Sequence, residues 1–364
     1  QGADALYKGE IAAAIEEDMK KNDGLITMTD LAEFKAEIKI PLKTTFRDYE
    51  VYGPTAPCGS WTTLETLNIL ENFDLKAMGH NSTKYLHTFV EGARHAFADR
   101  YHYLGDPDFV EVPLKGLLSK EYSKEISKKL NLNEAELENS YTGDPWNYYS
   151  DTSIHDAWKY DTKSNKDDLV NGDYNQDSDC TTHFGTSDKY GNLVSCTQTA
   201  VSSFGSKVIS NGLGILWNNG MIWFNPKPGS KNSIAPFKRP LVNMAPILAK
   251  KNGKPYMSVG SPGGRKVNNA NTNLSLNILE FGMGPQEAIS TSRSDASGPT
   301  TILDHRINQN VISELKKMGH KIQMIDDMEA WYSFARPSAI VIDQDNKTIY
   351  GGSDSFPVAE ARGY

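Results

Sequence analysis

Residues 178–192 read SDCTTHFGTSDKYGN and join two parts of the chain that have different patterns. Before them lies a long polar stretch with eight aspartates from Asp151 to Asp179. After Cys180 the sequence alternates and carries the Thr, Phe and Val residues that are typical of a strand. The Gly and Asn of residues 188–192 suit a hairpin loop. The junction is therefore either an ordinary loop that meets a strand or a place where the chain is cut.

The second half of the chain carries three hairpin patterns. Each has two strand-like runs around a short polar turn: residues 183–187 and 193–201, 244–249 and 255–259, and 338–342 and 347–350. Helical periodicity dominates the first half, with apolar faces in residues 11–19, 62–73 and 85–101, and it returns in residues 311–318. Residues 47–52 are predicted to form a strand. These elements predict an α+β layered protein with a mostly antiparallel sheet.

The composition permits a large core and argues against two kinds of partner. With 364 residues and 38% hydrophobic content, the chain can form one large domain or two ordinary ones. Its formal charge is -8 and its basic residues are scattered, so we expect no nucleic acid. No apolar run reaches the roughly 18 residues of a membrane-spanning helix. The three cysteines, Cys58, Cys180 and Cys196, form neither a disulfide framework nor a CxxC pair.

Thr181 is a candidate nucleophile. A threonine hydroxyl attacks a carbonyl group if a base removes its proton, and an N-terminal threonine carries that base as its own α-amine. Thr181 is internal, so it qualifies only if the bond between Cys180 and Thr181 is broken. Two alternatives stay open: Thr181 is an ordinary strand residue, or Cys180 is the nucleophile after a cut one residue earlier.

A glycine-rich run, GSPGG at residues 260–264, follows the second hairpin directly. Gly263 and Gly264 allow positive φ angles and can turn successive N–H groups to one side as an anion-binding nest, or they simply form a tight turn. Ser195, Thr197 and Thr199 alternate, so they share one strand face and can hydrogen-bond to a neighbouring hydroxyl.

The sequence predicts no metal site. Cys180 and His183 are three residues apart, but no second pair of ligands accompanies them. His87, His95 and His102 lie along one predicted helix, and we interpret them as surface groups or as satisfied core groups.

Taken together, these motifs resemble the γ-glutamyltranspeptidase family of N-terminal nucleophile hydrolases. In the second half the matching segments are TTHFGTSDKYGNLVSCTQT, SSFGSKV, NGLGILWNNGM, FKRPLVNMAPILAKKNGKP, VGSPGG, GGSD and the terminal ARGY. In the first half they are YKGEIAAAI, NDGLITMTDLAEFKA, LNILENFDL and ARHAFADRYHYLGDPDFV. The resemblance therefore covers nearly the whole chain, in the order of the family.

The resemblance implies an α+β fold of the four-layer αββα sandwich type and a precursor that cleaves itself between Cys180 and Thr181. Residues 1–180 would be the C-terminal part of the large-subunit region, ending in a flexible processing segment near residues 140–180. Residues 181–364 would be the small, catalytic-subunit region, and both would form one intertwined domain. Family members begin upstream of the match to Gln1 and bind the donor carboxylate with an arginine from that part, so we expect a longer protein.

The resemblance also implies a role for each site residue. Thr181 would be the nucleophile and, through its freed α-amine, the base; Thr199 would hydrogen-bond to it; and Gly263 and Gly264 would form the oxyanion hole. Water or an amine would resolve the acyl-enzyme, without a cofactor or metal. The expected partners are a small amide or γ-glutamyl substrate, the other fragment of the same precursor and, as a further option, a second copy in a homo-oligomer.

Five positions depart from the family's glutamyl-binding pattern. The family pattern has Asn at the position of Val201, Gln or Glu at that of Gly220 and an acidic residue at that of Trp223. It has a pair of serines at the positions of Val242 and Asn243. A pocket that loses polar groups loses discrimination. The leading hypothesis is a self-processing threonine amidohydrolase whose acyl donor is not a standard γ-glutamyl group. The alternatives are a genuine hydrolase or transpeptidase of glutathione-like γ-glutamyl amides, and an unprocessed, inactive family member.

Overall fold

The computed structural model describes residues 2–136, 143–148, 179–326, 334–354 and 359–363. Most of the predicted processing segment near residues 140–180 lies outside the described residues. The strands are β1 (Leu42–Phe46), β2 (Tyr49–Gly53), β3 (Asp179–Ser187), β4 (Leu193–Ser202), β5 (Ile247–Lys251), β6 (Lys254–Gly260), β7 (Ser294–Asp295), β8 (Thr301–Asp304), β9 (Ile322–Ile325), β10 (Ser338–Asp343) and β11 (Thr348–Ser353).

The helices of the described residues are α1 (Asp4–Tyr7), α2 (Glu10–Lys21), α3 (Met28–Glu33), α4 (Ser60–Leu70), α5 (Leu75–Met78), α6 (Thr83–Tyr103), α7 (Leu114–Leu117), α8 (Lys120–Lys129), α9 (Val267–Leu279), α10 (Pro285–Ser290) and α11 (Gln309–Lys317). Short 3-10 helices cover Pro145–Tyr148, Gly220–Trp223 and Gly264–Lys266. None of these helices has both the length and the apolar character that crossing a membrane requires.

The main sheet has six strands in the order β1-β2-β5-β6-β10-β11, and every neighbouring pair is antiparallel. Because β2 pairs with β5, the sheet combines strands from before and after the junction at Cys180. Along β6, Met257 and Val259 are fully buried in the main hydrophobic core. Ser258 and Gly260 alternate with them and face the other side of the sheet.

Helices cover the core-facing side of the main sheet. Helices α4 and α9 pack directly on it, and α6 packs on α4. The predicted helix at residues 85–101 is confirmed as part of α6, which Ser82 caps by accepting a hydrogen bond from the Tyr85 N–H. The helices predicted at residues 11–19, 62–73 and 311–318 are confirmed as α2, α4 and α11, although α4 ends at Leu70 and buries all of its residues.

Helix α9 buries all thirteen of its residues, and five of them are asparagines. Three of their amides donate to backbone carbonyls of neighbouring segments: Asn271 to Ala245 over 2.6 Å, Asn273 to Ser294 over 3.0 Å and Asn277 to Ala288 over 3.1 Å. The carboxamide oxygen of Asn271 accepts a hydrogen bond from Ser261 Oγ over 3.0 Å. A helix that is buried on every side has no polar face, so the sequence lacked the period that would have predicted it.

Strands β3 and β4 form a separate two-stranded sheet on the other face of the main sheet. Two serine hydroxyls join the layers: Ser195 Oγ donates to the Val259 carbonyl over 3.0 Å, and Ser258 Oγ donates to the Val194 carbonyl over 3.1 Å. The three predicted hairpins are confirmed as β3–β4, β5–β6 and β10–β11. A third sheet, β7-β8-β9, includes the parallel pair β8–β9. The described fold is therefore α+β, with helices and a hairpin on opposite faces of one sheet.

One predicted strand boundary was wrong. Residues 47–52 were predicted as a single strand, but β2 begins at Tyr49 and pairs with β1, which the sequence pattern missed. Arg47 lies in the turn between them with a φ of 51°. The backbone must reverse at this point, so Arg47 cannot continue a strand.

Candidate active site

The bond between Cys180 and Thr181 lies inside β3, opposite an irregularity in β4. Thr181 pairs with Thr199, but between this pair and the next one, at Asp179, β4 has one more residue than β3. Val201 lies in this β-bulge with a φ of 80°, in the left-handed region that a β-branched residue rarely adopts. Such strain costs on the order of 1–3 kcal/mol and clusters at functional sites.

The Thr199 hydroxyl lies at the centre of a small hydrogen-bond network. Its oxygen is 2.8 Å from Thr181 Oγ, accepts a hydrogen bond from the Val201 N–H over 2.8 Å and lies 3.2 Å from the carbonyl oxygen of Cys180. A hydroxyl offers one donor and two acceptor positions. If Thr199 donates to Cys180, the Thr181 hydroxyl must be the donor in the contact between the two threonines. The one donor position and both acceptor positions of the Thr199 hydroxyl are then occupied by hydrogen bonds.

The packing of the hairpin on the main sheet brings Thr181 toward the glycine-rich loop. A methyl group at Gly260 would lie 2.1 Å from Cε1 of His183, and one at Gly185 would lie 3.2 Å from Ser258 Oγ. Residues earlier in β3 thus lie beside residues later in β6. Extended by two residues in the same direction, this alignment brings Thr181 level with the loop that follows β6.

His183 is a half-buried neutral side chain on the same strand. Its Nδ1 lies 2.8 Å from Thr197 Oγ, and its Nε2 has no hydrogen-bond partner within the described residues. Burial lowers the pKa of His183 to about 4. The imidazole is therefore uncharged at neutral pH. Among the described residues, the groups of three side chains that are close enough to hold a metal ion include neither His183 nor Cys180.

The glycine-rich loop has the unusual backbone that its sequence predicts. Gly263 and Gly264 have φ angles of 140° and 57°. A side chain at Gly263 would also lie 2.6 Å from the Cα of Ala335, so only glycine fits. The loop is held from outside, because the Arg336 N–H donates to the Pro262 carbonyl over 2.9 Å.

Two of the predicted substrate-binding positions lie together beside the bulge. A methyl group at Gly220 would lie 4.0 Å from Cγ2 of Val201, which is buried. Trp223 ends the same short 3-10 helix, and its carbonyl accepts a hydrogen bond from Asn232 Nδ2 over 2.7 Å. Val201 and Gly220 thus lie together next to Thr199, with no polar side chain at either position.

The last two of the five predicted positions, Val242 and Asn243, are tied to α6. The Arg100 guanidinium donates to the Val242 carbonyl and to the Asn243 side-chain oxygen, each over 2.9 Å. Arg100 is buried, and this desolvation lowers its pKa to about 10. The carboxamide oxygen of Asn243 therefore accepts a structural hydrogen bond from Arg100.

Asn219 is a residue that the sequence did not single out. Its side-chain oxygen accepts from the Ser202 N–H over 3.0 Å, and its Nδ2 donates to Ser202 Oγ over 2.8 Å. Its own N–H donates to the Ala200 carbonyl over 3.2 Å. Asn219 therefore fastens the bulged end of β4 to the segment that carries Gly220. The doubled asparagine of LWNNG was the only sign of this in the sequence.

A cavity of about 960 Å³ opens at the other end of the hairpin. Leu193 and Ser195 line it together with Val242 and several prolines. Leu193 is six residues from Thr199 along β4, which corresponds to about 20 Å in a strand. The cavity is therefore separate from the threonine pair.

Comparison with known proteins gives a consistent picture. The family model described as Gamma-glutamyltranspeptidase matches residues 1–364. The chain is 32% identical over 366 residues to the glutathione hydrolase proenzyme of Escherichia coli (strain K12), covering 97% of this chain and 57% of that protein. It is 34% identical over 323 residues to the acylase ACY 1 proenzyme of Pseudomonas sp. (strain SE83), covering 88% of this chain and 52% of that protein.

The fold also matches a solved structure. The crystal structure of cephalosporin acylase from Bacillus halodurans superposes with a TM-score of 0.80 at 25% sequence identity, over 96% of this chain and 58% of that one. This chain thus spans little more than half the length of the relatives that it matches.

Proposed function

Because the chain belongs to the γ-glutamyltranspeptidase family, we propose that it is part of a self-processing threonine amidohydrolase that is cleaved between Cys180 and Thr181. Relatives with hydrolase and acylase activities carry the word proenzyme in their names. A precursor that is cut at this bond would yield large and small fragments that remain associated. The four-layer αββα sandwich belongs to this proposal, with the hairpin sheet completed by further strands.

The observation that carries the proposal is the position of the Thr199 hydroxyl, 2.8 Å from Thr181 Oγ and 3.2 Å from the Cys180 carbonyl oxygen. Thr199 can accept the proton of the attacking hydroxyl and hydrogen-bond to the carbonyl that is attacked. Hydrogen bonds of this kind to a developing oxyanion contribute about 2.7–4 kcal/mol to a reaction barrier.

Processing would proceed in balanced steps. Thr181 Oγ bonds to the carbonyl carbon of Cys180, its proton passes to Thr199, and the Thr199 proton passes to the carbonyl oxygen. The C–N bond then breaks as the former carbonyl oxygen loses its proton and re-forms a C=O bond, and this proton passes to the Thr181 nitrogen, which becomes a free amine. Water hydrolyses the resulting ester, which restores the Thr181 hydroxyl and leaves a carboxylate on Cys180.

The same threonine would then act on substrates. Its free α-amine serves as the base for its own hydroxyl, which attacks the substrate amide and releases the amine product. The N–H groups of Gly263 and Gly264 would stabilise the oxyanion, since Thr181 lies level with their loop. The acyl-enzyme is resolved by water or by a second amine. This cycle requires no cofactor.

The lack of a polar side chain at Val201 and Gly220, next to Thr199, supports an acyl donor without a free α-amino group. Trp223 replaces an acidic residue of the family pattern, so the natural partner of an ammonium group is absent at that position. The acylase relatives favour the same choice of donor. The second candidate, hydrolysis of γ-glutamyl amides, is favoured by the similarity to the E. coli glutathione hydrolase proenzyme.

Processing is tested on a denaturing gel. Wild-type protein should run as two fragments, and N-terminal sequencing of the smaller one should begin at Thr181. Thr181→Ala should remain whole, whereas the matched control Thr182→Ala should be cut. A wild-type chain that stays whole in every condition contradicts the proposal and supports an inactive member. A fragment that begins at Cys180 identifies the cysteine as the nucleophile.

Donor choice is tested with a pair of anilides that differ in one group. Glutaryl anilide lacks only the α-amino group of γ-glutamyl anilide. We expect the cleaved enzyme to have the higher kcat/KM for the glutaryl compound. Robust turnover of the γ-glutamyl compound alone would instead select the second candidate.

A further inference from the structure

A compact group of ionisable side chains lies in the helical layer, away from the threonine pair. Glu65 comes from α4, His95 and Asp99 lie one turn apart on α6, and Tyr122 comes from α8. Glu65 and Asp99 are completely buried, and His95 is 9% exposed. One ligand atom from each of Glu65, His95 and Asp99 lies within 4.8 Å of the others.

Glu65 is the unusual member of the group. Neither of its carboxylate oxygens receives a hydrogen bond from a donor in the described part of the chain, although the residue is fully buried. An isolated buried carboxylate is costly unless a cation or a proton neutralises it. Glu65 must therefore be neutralised, either by a cation that it shares with its neighbours or by a proton.

Asp99, in contrast, is firmly oriented. One of its oxygens accepts a hydrogen bond from the Gly143 N–H over 3.1 Å, and the other accepts from the Tyr122 hydroxyl. His95 Nε2 lies 3.3 Å from the second oxygen and 3.3 Å from the Tyr122 hydroxyl. Hydrogen bonds that hold a ligating carboxylate in place are a regular feature of metal sites.

The geometry and charge of the group match a divalent cation. Two ligand atoms about 2.0–2.1 Å from a tetrahedral zinc ion lie about 3.3 Å apart, which is the separation of His95 Nε2 and the Asp99 oxygen. Residues four apart on one helix share a face, and a ligand from a facing helix completes a site of the kind found in helix bundles. Two carboxylates and a neutral imidazole carry a charge of about -2, which one divalent ion neutralises.

A neighbouring cluster provides an internal contrast. His87, Glu91 and His320 are also close enough to hold a metal, but Arg94 already supplies the positive charge. His87 Nδ1 lies 2.7 Å from His320 Nε2, and His87 Nε2 lies 2.7 Å from the Asn131 carbonyl. These nitrogens are therefore engaged in hydrogen bonds. In this cluster, Arg94 supplies the positive charge and hydrogen bonds occupy the histidine nitrogens, which is the role that a metal ion would have around Glu65.

We propose that Glu65, His95 and Asp99 bind one divalent transition-metal ion of the zinc class, which joins α4 to α6 as a structural site. The sequence predicted no metal, because Cys180 and His183 lacked a second pair of ligands and His95 was interpreted as a surface group or a satisfied core group. The site is enclosed, so the ion enters while the chain folds. The competing arrangement is a single proton shared between Glu65 and Asp99.

The test uses the whole protein, produced with added zinc and purified without chelators. Elemental analysis should find about one zinc ion per chain in the wild type. Glu65→Gln keeps the shape of the side chain but removes its charge, and it should lose the metal. The matched control Glu91→Gln, in the neighbouring cluster, should retain it. Zinc present during refolding should raise the Tm of the wild type and leave that of Glu65→Gln unchanged.

Cobalt(II) provides a readout that depends on no variant. Wild-type protein refolded with cobalt should show the intense visible absorption of a tetrahedral site, and zinc should abolish it. The proposal is overturned if refolding with excess zinc leaves the protein free of metal, or if no such absorption develops. A Glu65→Gln variant that is as stable as the wild type, whether or not zinc is present, would establish the shared proton instead.

Discussion

Replacing Gly260 with alanine tests whether the strand that carries Thr181 is positioned by the contact between two layers. The new methyl group would lie 2.1, 2.4 and 2.6 Å from Cε1, Nδ1 and Nε2 of His183, whereas ordinary contacts begin at 3.4 Å. Gly260 lies in a regular strand and pairs with Ser338. Alanine is therefore compatible with the backbone, and the clash alone accounts for the effect.

The size of the effect follows from these contacts. The imidazole must move by roughly 1 Å or more, and overpacking of this kind costs about 1–3 kcal/mol. The movement also breaks the 2.8 Å contact between His183 and Thr197, which contributes about 1 kcal/mol. Gly260→Ala should therefore be less stable by about 2–4 kcal/mol. Because Thr181 lies two residues away on the same strand, a 1 Å displacement there should slow self-cleavage by about 100-fold.

Two measurements and one control check this reasoning. Urea unfolding gives the loss of stability, and the time course of fragment formation on a denaturing gel gives the loss of rate. The double variant Gly260→Ala with His183→Ala removes the ring that is struck, so its loss should be smaller than the sum of the single losses by about 1 kcal/mol or more. Wild-type stability and cleavage in Gly260→Ala, or strictly additive losses, would refute the argument.

Three further predictions address the site and the buried histidines. Thr199→Val should slow self-cleavage by about 100-fold or more, whereas Thr199→Ser, which keeps the hydroxyl, should stay near the wild-type rate in the same gel assay. Val201→Asn restores an amide in the family's position, so the kcat/KM for γ-glutamyl anilide should rise relative to glutaryl anilide by about 10-fold or more. Burial and Arg94 lower the pKa of His320 to about 3, whereas an unfolded histidine has a pKa of about 6.5. Between these two pH values the unfolded state therefore binds more protons than the folded state. Stability should fall by up to about 1.4 kcal/mol per pH unit below pH 6.5, and His320→Gln should flatten this slope in urea titrations.

The features that sequence predicted well are those set by neighbouring residues. The β3–β4 hairpin follows from alternation around an Asp-Lys-Tyr-Gly-Asn loop, and in the structure Asp188 accepts hydrogen bonds from the N–H groups of Tyr190 and Asn192. Helix α6 follows from its apolar period, and in the structure Ser82 caps it. Such signals lie within about a dozen residues, so they can be read from the chain alone.

The features that it missed depend on distant partners. Helix α9 has no amphipathic period because every one of its faces is buried, and the partner of Asn271 is Ala245, 26 residues away. The bulge that holds Val201 at positive φ arises from the pairing of β3 with β4, which no residue type indicates. His95 and Asp99 share a visible spacing on α6, but Glu65 comes from another helix. These arrangements appear only once the layers are assembled.

The contact between Thr181 and Thr199 also bears on when activity can arise. The two residues are 18 positions apart and meet only after the hairpin has closed. A chain that has not reached this stage cannot place the receiving hydroxyl beside the attacking one, so on the proposed mechanism it cannot liberate its own α-amine. Only correctly folded molecules would thus become active, and each of them would activate itself once, by an irreversible cleavage. Misfolded copies would carry the same sequence and remain uncleaved and inactive.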